Sequence, residues 1–352
     1  MIKYYTRACN FYYGSISKNL VKKKLAFPLS GNKSISFDKI EVFIRNKKKI
    51  SSKILNIKEI KKQKIFLKKK IEKDLKKITS KVNKFDNPTI MGILNMTPDS
   101  FSDGGKYNNF KKAVKHIKSM IKSGAQIIDI GGESTRPGSK IISTNEEWSR
   151  VGAIIKVFKK KFPKILLSID TRKSKLMEIS LKYNIDIIND VSSFEYDKKS
   201  IEQVKNKNIW KVIHHMQGTP QTMQKNPKYN NVLLDIYDFF EKKINTHFSK
   251  NKKKNKKIIL DPGIGFGKNL KHNLILMSKI SLFHSLGFPI LIGSSRKRFI
   301  SQISGNFDTK ERIGGTLSSI LFTLAQGVQI FRVHNVKEVK QGILVYKELL
   351  NQ

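Results

Sequence analysis

From about residue 86 onward, the chain repeats one pattern of apolar and polar positions. A short apolar run leads to a turn rich in glycine, serine, threonine and aspartate, and then to a stretch with helical periodicity. The apolar runs predict eight buried strands: Ile90–Leu94, Gln126–Ile130, Ile165–Ile169, Ile185–Ile188, Trp210–His214, Ile258–Leu260, Ile290–Ile292 and Ile330–Arg332. The helices predicted between them include Lys111–Lys122, Ser174–Tyr183, Leu233–Phe248 and Arg312–Gln326. Such a repeat over about 265 residues predicts an α/β protein, a closed (β/α)8 TIM barrel with parallel strands.

The polar positions help to choose between two α/β architectures. In a doubly wound open sheet, functional side chains gather at the point where the strand order reverses. In a closed barrel, they follow the C-terminal ends of many strands. Nearly every predicted strand of this chain runs into a polar segment. The pattern therefore favours the barrel over the open sheet.

Residues 1–85 lack this repeat, contain many lysines and have almost no glycine. Within them, Ile40–Arg45 alternates like a half-buried strand, and Leu25–Phe27 is its expected partner across a glycine turn. The stretch Lys47–Lys84 is typical of a basic helix or linker. We therefore expect a short basic N-terminal extension over residues 1–85 and the barrel over residues 86–352.

The cellular location is indicated by a few simple features. No acidic residue precedes Asp38, which resembles an organellar transit peptide, but the tyrosines among the first residues do not form a cationic amphipathic helix. No apolar run approaches the roughly 18 to 20 residues that are needed to cross a bilayer. The single cysteine, Cys9, rules out an internal disulfide and fits a reducing compartment. We expect a cytoplasmic protein.

The charge is strongly positive, with 70 Lys and Arg against 27 Asp and Glu, a formal net charge of +43. Such a balance suits a nucleic acid, an anionic membrane surface or an anionic substrate. The excess is mostly lysine spread along the whole chain, as in Lys68–Lys70 and Lys252–Lys254, without a recognisable nucleic-acid module. A lysine-biased proteome explains this spread equally well. We therefore expect neither a nucleic-acid partner nor a membrane partner.

The segments that follow the strands form a consistent polar set, which the barrel fold would bring to one end. Three of them are long: Asn95–Gly105, Gly131–Gly138 and Asp261–Lys268. The others are Asp170–Thr171, Asn189–Asp190, His214–Gly218, Gly293–Lys297 and Arg332–His334. We expect the active site at this end of the barrel.

Each of these residues also has a structural explanation. A lone aspartate after a strand, such as Asp170 or Asp261, is usually a helix N-cap, and Lys297 lies in a basic run where a solvated lysine is common. The convergence of these polar strand ends in one barrel favours function over these explanations. The pair His214–His215 suggests a metal site, but neighbouring residues of a strand face opposite sides. We therefore expect no zinc.

Five of the polar segments together resemble the characteristic segments of the dihydropteroate synthases. They are Gly92–Gly105, Gly131–Gly138, Asp261–Lys268, Ser295–Lys297 and Arg332–His334. The resemblance spans residues 88–350. It implies a transferase of folate synthesis that joins a 7,8-dihydropterin carrying a methylene diphosphate to 4-aminobenzoate, releases diphosphate and is a target of sulfonamides.

The resemblance also implies how the diphosphate is held. Arg332, His334 and the Thr135–Arg136 pair would supply the cations and hydrogen-bond donors that this leaving group needs. The side-chain oxygen of Asn95 would hold a magnesium ion that bridges the diphosphate, since magnesium prefers oxygen ligands and shares them with phosphates. The implied cofactor is therefore Mg²⁺.

On the pterin, the resemblance implies that the Asp261 carboxylate accepts hydrogen bonds from the amino group and the ring N–H. Asn189 would read the neighbouring atoms, Lys297 would donate to the carbonyl side, and Phe266 would approach the flat ring. As diphosphate leaves, positive charge spreads into the pterin, and Asp170 would stabilise it. The implied catalytic residues are Asp170, Lys297, Arg332 and His334.

For the second substrate, the resemblance implies that the loops holding Phe101, Arg136 and Pro137, together with Ser295, close over the aminobenzoate. An aromatic amine is mostly unprotonated at neutral pH, so the reaction requires no dedicated strong base. The family also implies a homodimer.

The chain departs from the family pattern at two positions. Arg298 stands where a small residue is usual, and Asn335 stands where an aspartate often follows the histidine. Neither is a principal ligand in the assignment above. The departures therefore concern the structure of these loops rather than the reaction.

Two other functions compete with this assignment. A methyltransferase with a pterin-binding barrel shares the Asp and Asn contacts, but it has no diphosphate to bind. The Thr97–Phe101 loop, the Thr135–Arg136 pair and the Arg332 and His334 pair argue against it. A noncatalytic basic protein would instead use its lysines to bind nucleic acid or an anionic surface, and its binding would depend steeply on salt.

Overall fold

The N-terminal part of the chain forms an antiparallel sheet of four strands with two helices. The structure is a computed structural model that describes residues 2–82, 84–85, 88–97, 106–135, 138–248, 257–305 and 308–351. The N-terminal elements are β1 (Ile2–Tyr13), α1 (Gly14–Lys22), β2 (Phe27–Leu29), β3 (Asn32–Asn46), β4 (Lys49–Asn56), a 3₁₀ helix (Ile57–Lys62) and α2 (Ile65–Ile78). The long strand β3 pairs with β1 along one edge and with β2 and β4 along the other.

This part contains more regular structure than the sequence predicts. Ser30 and Gly31 both adopt positive φ, 51° and 75°, and join β2 to β3 in a tight turn. However, Phe27 lies opposite Phe37, whereas Ile40–Arg45 pairs with β1 and β4 rather than with the predicted partner. β4 is not evident in the sequence because it is a mostly exposed edge strand containing lysine, as edge strands often are.

The remaining strands and helices alternate along the chain. The strands are β5 (Thr89–Asn95), β6 (Ile127–Gly131), β7 (Leu166–Asp170), β8 (Ile187–Asp190), β9 (Trp210–His214), β10 (Ile258–Asp261), β11 (Leu291–Ile292) and β12 (Ile330–Val333). The helices are α3 (Lys106–Lys122), α4 (Thr144–Lys161), α5 (Ser174–Leu181), α6 (Ser200–Val204), α7 (Val232–Phe248), α8 (Leu270–Ser278), a 3₁₀ helix (Ile280–Leu286), α9 (Arg298–Ser304), α10 (Ile313–Leu324) and α11 (Val336–Leu350). Each strand lies within two residues of its predicted position.

The eight strands form one parallel sheet in the order β10-β9-β8-β7-β6-β5-β12-β11. The sheet closes between its two ends, where Leu260 forms a parallel bridge with Ile290 and donates a backbone hydrogen bond to Pro289 over 2.9 Å. The prediction of a (β/α)8 barrel is confirmed.

The interior of the barrel has an apolar lower half and a polar upper half. Toward the N-terminal ends of the strands, the inward positions carry Met91, Ile127, Ile187, Val212, Ile259 and Ile330, and Phe85 packs edge-on against Trp210 with ring centroids 4.8 Å apart. Toward the C-terminal ends, they carry Asp129, Ser168, Asp170, Asn189, His214, Asp261 and Arg332. Side chains alternate along a strand, so the same strands supply both halves.

The N-terminal sheet packs against the outside of the barrel through charged and aromatic contacts. Asp238 on α7 accepts hydrogen bonds from Lys3 over 2.5 Å, from Tyr5 over 3.0 Å and from Arg45 over 2.8 Å. Tyr5 also packs edge-on against Tyr237, with ring centroids 5.1 Å apart. The extension is therefore joined to α7 by a small ionic network.

No helix in the part of the chain that the structure describes is long and apolar enough to cross a bilayer.

Candidate active site

The C-terminal ends of neighbouring strands bring three predicted residues to one level. In the parallel register, Asn95 pairs with Gly131, Gly131 with Asp170, and Asp170 with Asn189. Gly131 stands between Asn95 and Asp170, and a Cβ there would lie 3.4 Å from the Cβ of Asp170. The glycine therefore keeps space open beside the Asp170 carboxylate.

Arg332 is held by two carboxylates inside the barrel. Its Nε donates to Asp129 over 2.6 Å and its Nη2 donates to Asp170 over 2.7 Å. Burial raises the pKa of Asp170 to about 7, although the Arg332 guanidinium opposes the rise. Asp129 and Asp170 in turn raise the pKa of Arg332, even though burial acts in the opposite direction. Arg332 is therefore a fixed cation whose Nη1 has no hydrogen-bond partner among the described residues.

Asp129 also connects Arg332 to Asn189. One Asp129 oxygen accepts from Ser168 over 2.5 Å, and the other accepts from the Asn189 Nδ2 over 3.1 Å as well as from Arg332. The Oδ1 of Asn189 is buried and has no hydrogen-bond partner in the described part of the chain. Because a buried carbonyl oxygen without a partner is costly, this atom is poised to accept from a ligand N–H.

Asp261, Lys297 and Phe266 lie together at the polar end of the barrel. Asp261 accepts from the backbone N–H of Gly263 over 2.8 Å, and burial raises its pKa to about 6. The Nζ of Lys297 lies 4.1 Å from the centre of the Phe266 ring, and burial lowers the pKa of Lys297 to about 8. Gly263 has a positive φ of 68°, and a Cβ there would lie 2.0 Å from the carbonyl oxygen of His215. Only glycine allows this turn to bring Asp261 and Phe266 together.

His334 and Ser295 form a pair at the ends of the last two strands. The Oγ of Ser295 lies 3.0 Å from the Nδ1 of His334 and accepts from the His334 backbone N–H over 3.3 Å. Next to them, Asn335 accepts from the Nε and Nη2 of Arg296, over 3.0 and 2.7 Å. The side chain of Asn335 is thus fixed by Arg296 in this loop. Arg298, by contrast, is exposed at the start of α9.

The loop after β6 is anchored by a buried ionic cluster that the sequence does not predict. Glu133 accepts from Arg172 over 2.9 Å and from the backbone N–H of Ile142 over 3.2 Å, and Lys173 lies 2.6 Å from Glu147. The cluster fixes both ends of a loop that contains Thr135. Phe101, Arg136 and Pro137 lie outside the described residues.

The two neighbouring histidines face different surroundings. His214 lies inside the barrel, where its ring meets Phe266 edge-on with centroids 4.6 Å apart. His215 packs against Phe239 of α7, and its Nδ1 lies 3.0 Å from the Nζ of the buried Lys268. The pair therefore does not present two ligands to one metal.

Asp129, which bonds to Arg332 and Asn189, is not among the site residues predicted from the sequence. A signal for it exists, since Asp129 interrupts the apolar run Ile127–Ile130. A carboxylate within a buried strand requires partners. Those partners come from three other strands, and their identity is not evident from the run itself.

The fold and the site thus define a (β/α)8-barrel enzyme with a small-molecule site at the strand ends. Comparison with known proteins agrees: residues 91–334 match the family described as pterin binding enzyme. Dihydropteroate synthase of Escherichia coli K12 is 41% identical over 265 residues, which cover 75% of this chain and 93% of that protein.

Solved structures give the same result. The Yersinia pestis dihydropteroate synthase with a sulfonamide drug complex has a TM-score of 0.71 and 38% identity, and covers 76% of this chain and 96% of its own. The Xanthomonas albilineans enzyme with 4-aminobenzoic acid has a TM-score of 0.68 and 32% identity, and covers 75% and 94%.

The chain belongs to the dihydropteroate synthase family of pterin-binding enzymes. Its activity is that of a transferase, which condenses (7,8-dihydropterin-6-yl)methyl diphosphate with 4-aminobenzoate to give 7,8-dihydropteroate and diphosphate.

Proposed function

We propose that different residues at the polar end of the barrel serve the three steps of this condensation, which are pterin recognition, diphosphate departure and amine attack. The observation that carries the proposal is Arg332, which is fixed between Asp129 and Asp170 and linked through Asp129 to Asn189, whose buried Oδ1 has no partner among the described residues. This arrangement combines a cation for the diphosphate with hydrogen-bonding groups for the pterin within one interior.

In the first step, Asp261 and Asn189 read the N–H edge of the pterin. An ionised carboxylate accepts hydrogen bonds and cannot donate them. The Asn189 Oδ1 is a further acceptor that no described residue uses. Lys297 donates to the carbonyl side, since no described residue accepts a hydrogen bond from its Nζ, and Phe266 packs on the flat ring. The acceptors and the donor thus fit opposite sides of the pterin.

In the second step, the bond between the pterin methylene carbon and the diphosphate oxygen breaks. Arg332 donates from Nη1, and His334, Thr135 and Arg136 supply further donors, which stabilise the negative charge on the departing diphosphate. Positive charge is left on the pterin, and the Asp170 carboxylate beside it stabilises this charge.

In the third step, the amine nitrogen of 4-aminobenzoate bonds to the methylene carbon and then loses a proton to solvent. We assign Phe101, Arg136, Pro137 and Ser295 to the aminobenzoate pocket, and the 4-aminobenzoic acid in the Xanthomonas albilineans structure supports such a pocket in the family. The Ser295 Oγ is fixed by His334, which would place the second substrate beside the leaving group.

We assign a magnesium ion to the Asn95 side-chain oxygen. No group of three or more His, Cys, Asp and Glu side chains among the described residues is placed to hold a metal. This fits an ion that arrives with the diphosphate, because Mg²⁺ keeps several waters and binds proteins through one or two oxygens plus substrate phosphates. When bound, it would neutralise diphosphate charge. Asn95 lies in register beside the open space at Gly131.

We also propose a homodimer and a cytoplasmic location. The neighbouring helices α8, α9 and α10 each expose one large apolar side chain, Leu274, Ile303 and Phe322, the last 54% exposed. Exposed apolar side chains on adjacent helices support an interface between subunits.

A reducing compartment is supported by Cys9, which is buried and unpaired. The partners are otherwise the small-molecule substrates, without nucleic acid or membrane. For the domains, we propose an extension over residues 1–85 and the catalytic barrel over 86–352.

The proposal is tested by measuring pyrophosphate release from dihydropterin methyl diphosphate with and without 4-aminobenzoate, in the presence of magnesium. We expect release together with dihydropteroate when the amine is present. The matched variant Asp170→Asn should keep pterin binding and lose most of the turnover. If folded protein binds pterin and magnesium but forms no amine-dependent product, the proposal is wrong, and a methyl-transferring enzyme becomes the better explanation.

A further inference from the structure

His214 occupies an inward position at the level of Asp261. In the parallel register of β9 and β10, His214 pairs directly with Asp261, so both side chains point into the barrel. The Nε2 of His214 lies 4.0 Å from the Oδ2 of Asp261, and the side chain is almost completely buried. The imidazole is therefore part of the same wall of the pocket as the Asp261 carboxylate.

The tautomer of His214 follows from its other nitrogen. Its Nδ1 lies 3.0 Å from the carbonyl oxygen of Val191, which can only accept a hydrogen bond. Nδ1 must therefore carry the proton and donate it. In a neutral imidazole the second nitrogen is then an acceptor, so Nε2, the atom 4.0 Å from the Asp261 Oδ2, carries a lone pair.

The surroundings keep this ring neutral. Burial lowers the pKa of His214 well below its ordinary value, and the nearby cations Lys268, Lys297 and Arg332 act in the same direction. The charged group on the neighbouring strand is Asp261, 4.0 Å away, which is too far for a direct hydrogen bond. No described residue donates a hydrogen bond to the His214 Nε2 or to the Asp261 Oδ2, so two neighbouring acceptor atoms lie 4.0 Å apart.

We propose that His214 is a specificity-determining residue of the pterin pocket, whose Nε2 accepts an N–H of the pterin edge beside Asp261. The proposal rests on the proposed function. One side of a 7,8-dihydropterin carries the ring N3–H, both N–H bonds of the 2-amino group and the ring N8–H. These are four N–H bonds, whereas the Asp261 carboxylate and the Asn189 Oδ1 together offer three acceptor atoms, one of which, Asp261 Oδ1, also accepts from Gly263. The Nε2 of His214 provides the additional acceptor.

A purely structural role is the alternative, in which His214 serves only to bond Val191 and to pack against Phe266. Two substitutions separate these roles. Asn in place of His214 retains a donor near the Nδ1 position but removes the acceptor at Nε2. Gln places a polar atom near the Nε2 position but gives up the bond to Val191.

The experiment measures binding of pterin, and of an analogue without the 2-amino group, to the wild-type chain, His214→Asn and His214→Gln by calorimetry, with thermal unfolding of each. We expect His214→Asn to bind pterin about tenfold more weakly with little loss of thermal stability. It should also discriminate less between pterin and the analogue. His214→Gln should keep most of the affinity but unfold at a lower temperature.

The opposite pattern would overturn the inference: unchanged pterin affinity and discrimination in His214→Asn, with the larger loss of affinity in His214→Gln. That result leaves the proposed function intact, because the wild-type chain still binds pterin. If the folded wild-type chain binds no pterin, the proposed function itself fails.

Discussion

Arg332 donates from Nη2 to Asp170 over 2.7 Å, so the cation assigned to the diphosphate and the carboxylate assigned to the pterin cation are already paired. The pairing lowers the cost of burying each charge alone. It also fixes the guanidinium in one orientation before substrate arrives, so little ordering remains to be done when the diphosphate binds.

The first prediction concerns the shape of this cation. Arg332→Lys keeps a positive charge but cannot bond Asp129 and Asp170 with a planar fork. We expect kcat/KM for pyrophosphate release to fall about 100-fold, while the affinity for a pterin without diphosphate changes little. Arg332→Ala should impair use of the diphosphate further and lower the free energy of unfolding by about 3–5 kcal/mol, because two carboxylates lose their partner. Equal losses of pterin affinity and turnover in Arg332→Lys would contradict the assignment.

The second prediction concerns Asp261. Asp261→Ala should weaken pterin binding about 10- to 100-fold in calorimetry, because it removes a charged acceptor. Asp74→Ala is the matched control, since Asp74 is equally buried but its side chain accepts from Thr6 and Lys70 within the N-terminal extension. The control should lose stability and keep its pterin affinity. A general loss of folding in both variants would return Asp261 to a structural role.

The third prediction is a pH dependence of pterin binding. The pKa of Asp261 is raised to about 6, and the charged groups that face it are Arg332, Lys297 and Lys268. Below that pH the carboxyl is protonated and accepts poorly, so affinity for a pterin without diphosphate should fall about tenfold from pH 7 to pH 5. Asp261→Asn should show a flat profile over the same range. If the pterin affinity of Asp261→Asn still falls between pH 7 and pH 5 as it does in the wild-type chain, another group is responsible for the pH dependence.

The raised pKa of Asp261 affects the stability of the fold in the opposite direction: low pH weakens pterin binding but favours folding. Because the folded-state pKa of Asp261 lies above the ordinary value of 3.8, the folded form binds the proton more tightly than the unfolded form. The contribution of Asp261 to stability is fully present below pH 3.8 and is lost as the pH rises through about 6. Urea unfolding of wild-type and Asp261→Asn chains at several pH values gives the free energy of unfolding at each pH. Its slope against pH should differ between the two chains.

The fourth prediction concerns the second pocket. Sulfonamides should compete with 4-aminobenzoate, so raising the amine concentration should restore turnover at a fixed concentration of inhibitor. Steady-state rates of pyrophosphate release measure this. Inhibition that does not change with the amine concentration would count against a pocket shared by the two compounds.

The fifth prediction concerns the extension. Asp238→Ala removes the acceptor that Lys3, Tyr5 and Arg45 share, and should lower the free energy of unfolding by about 1–3 kcal/mol. High salt should weaken the wild-type contact as well. Glu178→Ala is the control, because among the described residues Glu178 forms only an exposed pair with Lys175 and should change stability by less than about 0.5 kcal/mol. Equal effects in urea unfolding would show that the network does not stabilise the fold.

The sequence predicts the barrel well because apolar runs mark buried strands regardless of their partners. The strand ends shift by one or two residues, as at Asp170 and Asp261, because a polar residue can still pair in the sheet after the apolar run has ended. The N-terminal sheet is predicted poorly. Its strand β4 exposes most of its side chains, so its periodicity resembles that of a linker.

The candidate site is predicted where a side chain follows a strand and missed where it lies within one. Asp261 and Asn189 stand at strand ends, which the fold brings together. Asp129 lies inside a strand, and its partners Ser168, Asn189 and Arg332 are between 39 and 203 positions away in the chain. Such a network depends on the closed geometry of the barrel, which the local pattern does not contain.

The division of the barrel interior into an apolar and a polar half has a consequence for mutational tolerance. Substitutions among the lower residues, such as Val212 and Ile259, act on packing, so they should reduce the amount of protein that accumulates in a cell. Substitutions among the upper residues remove groups whose burial is already costly, so those that leave no buried charge without its partner, unlike Arg332→Ala, should leave abundance nearly unchanged while growth without supplied folate fails. Selection would therefore separate the strands that supply both halves into two zones, with the change of phenotype falling about midway along each of them.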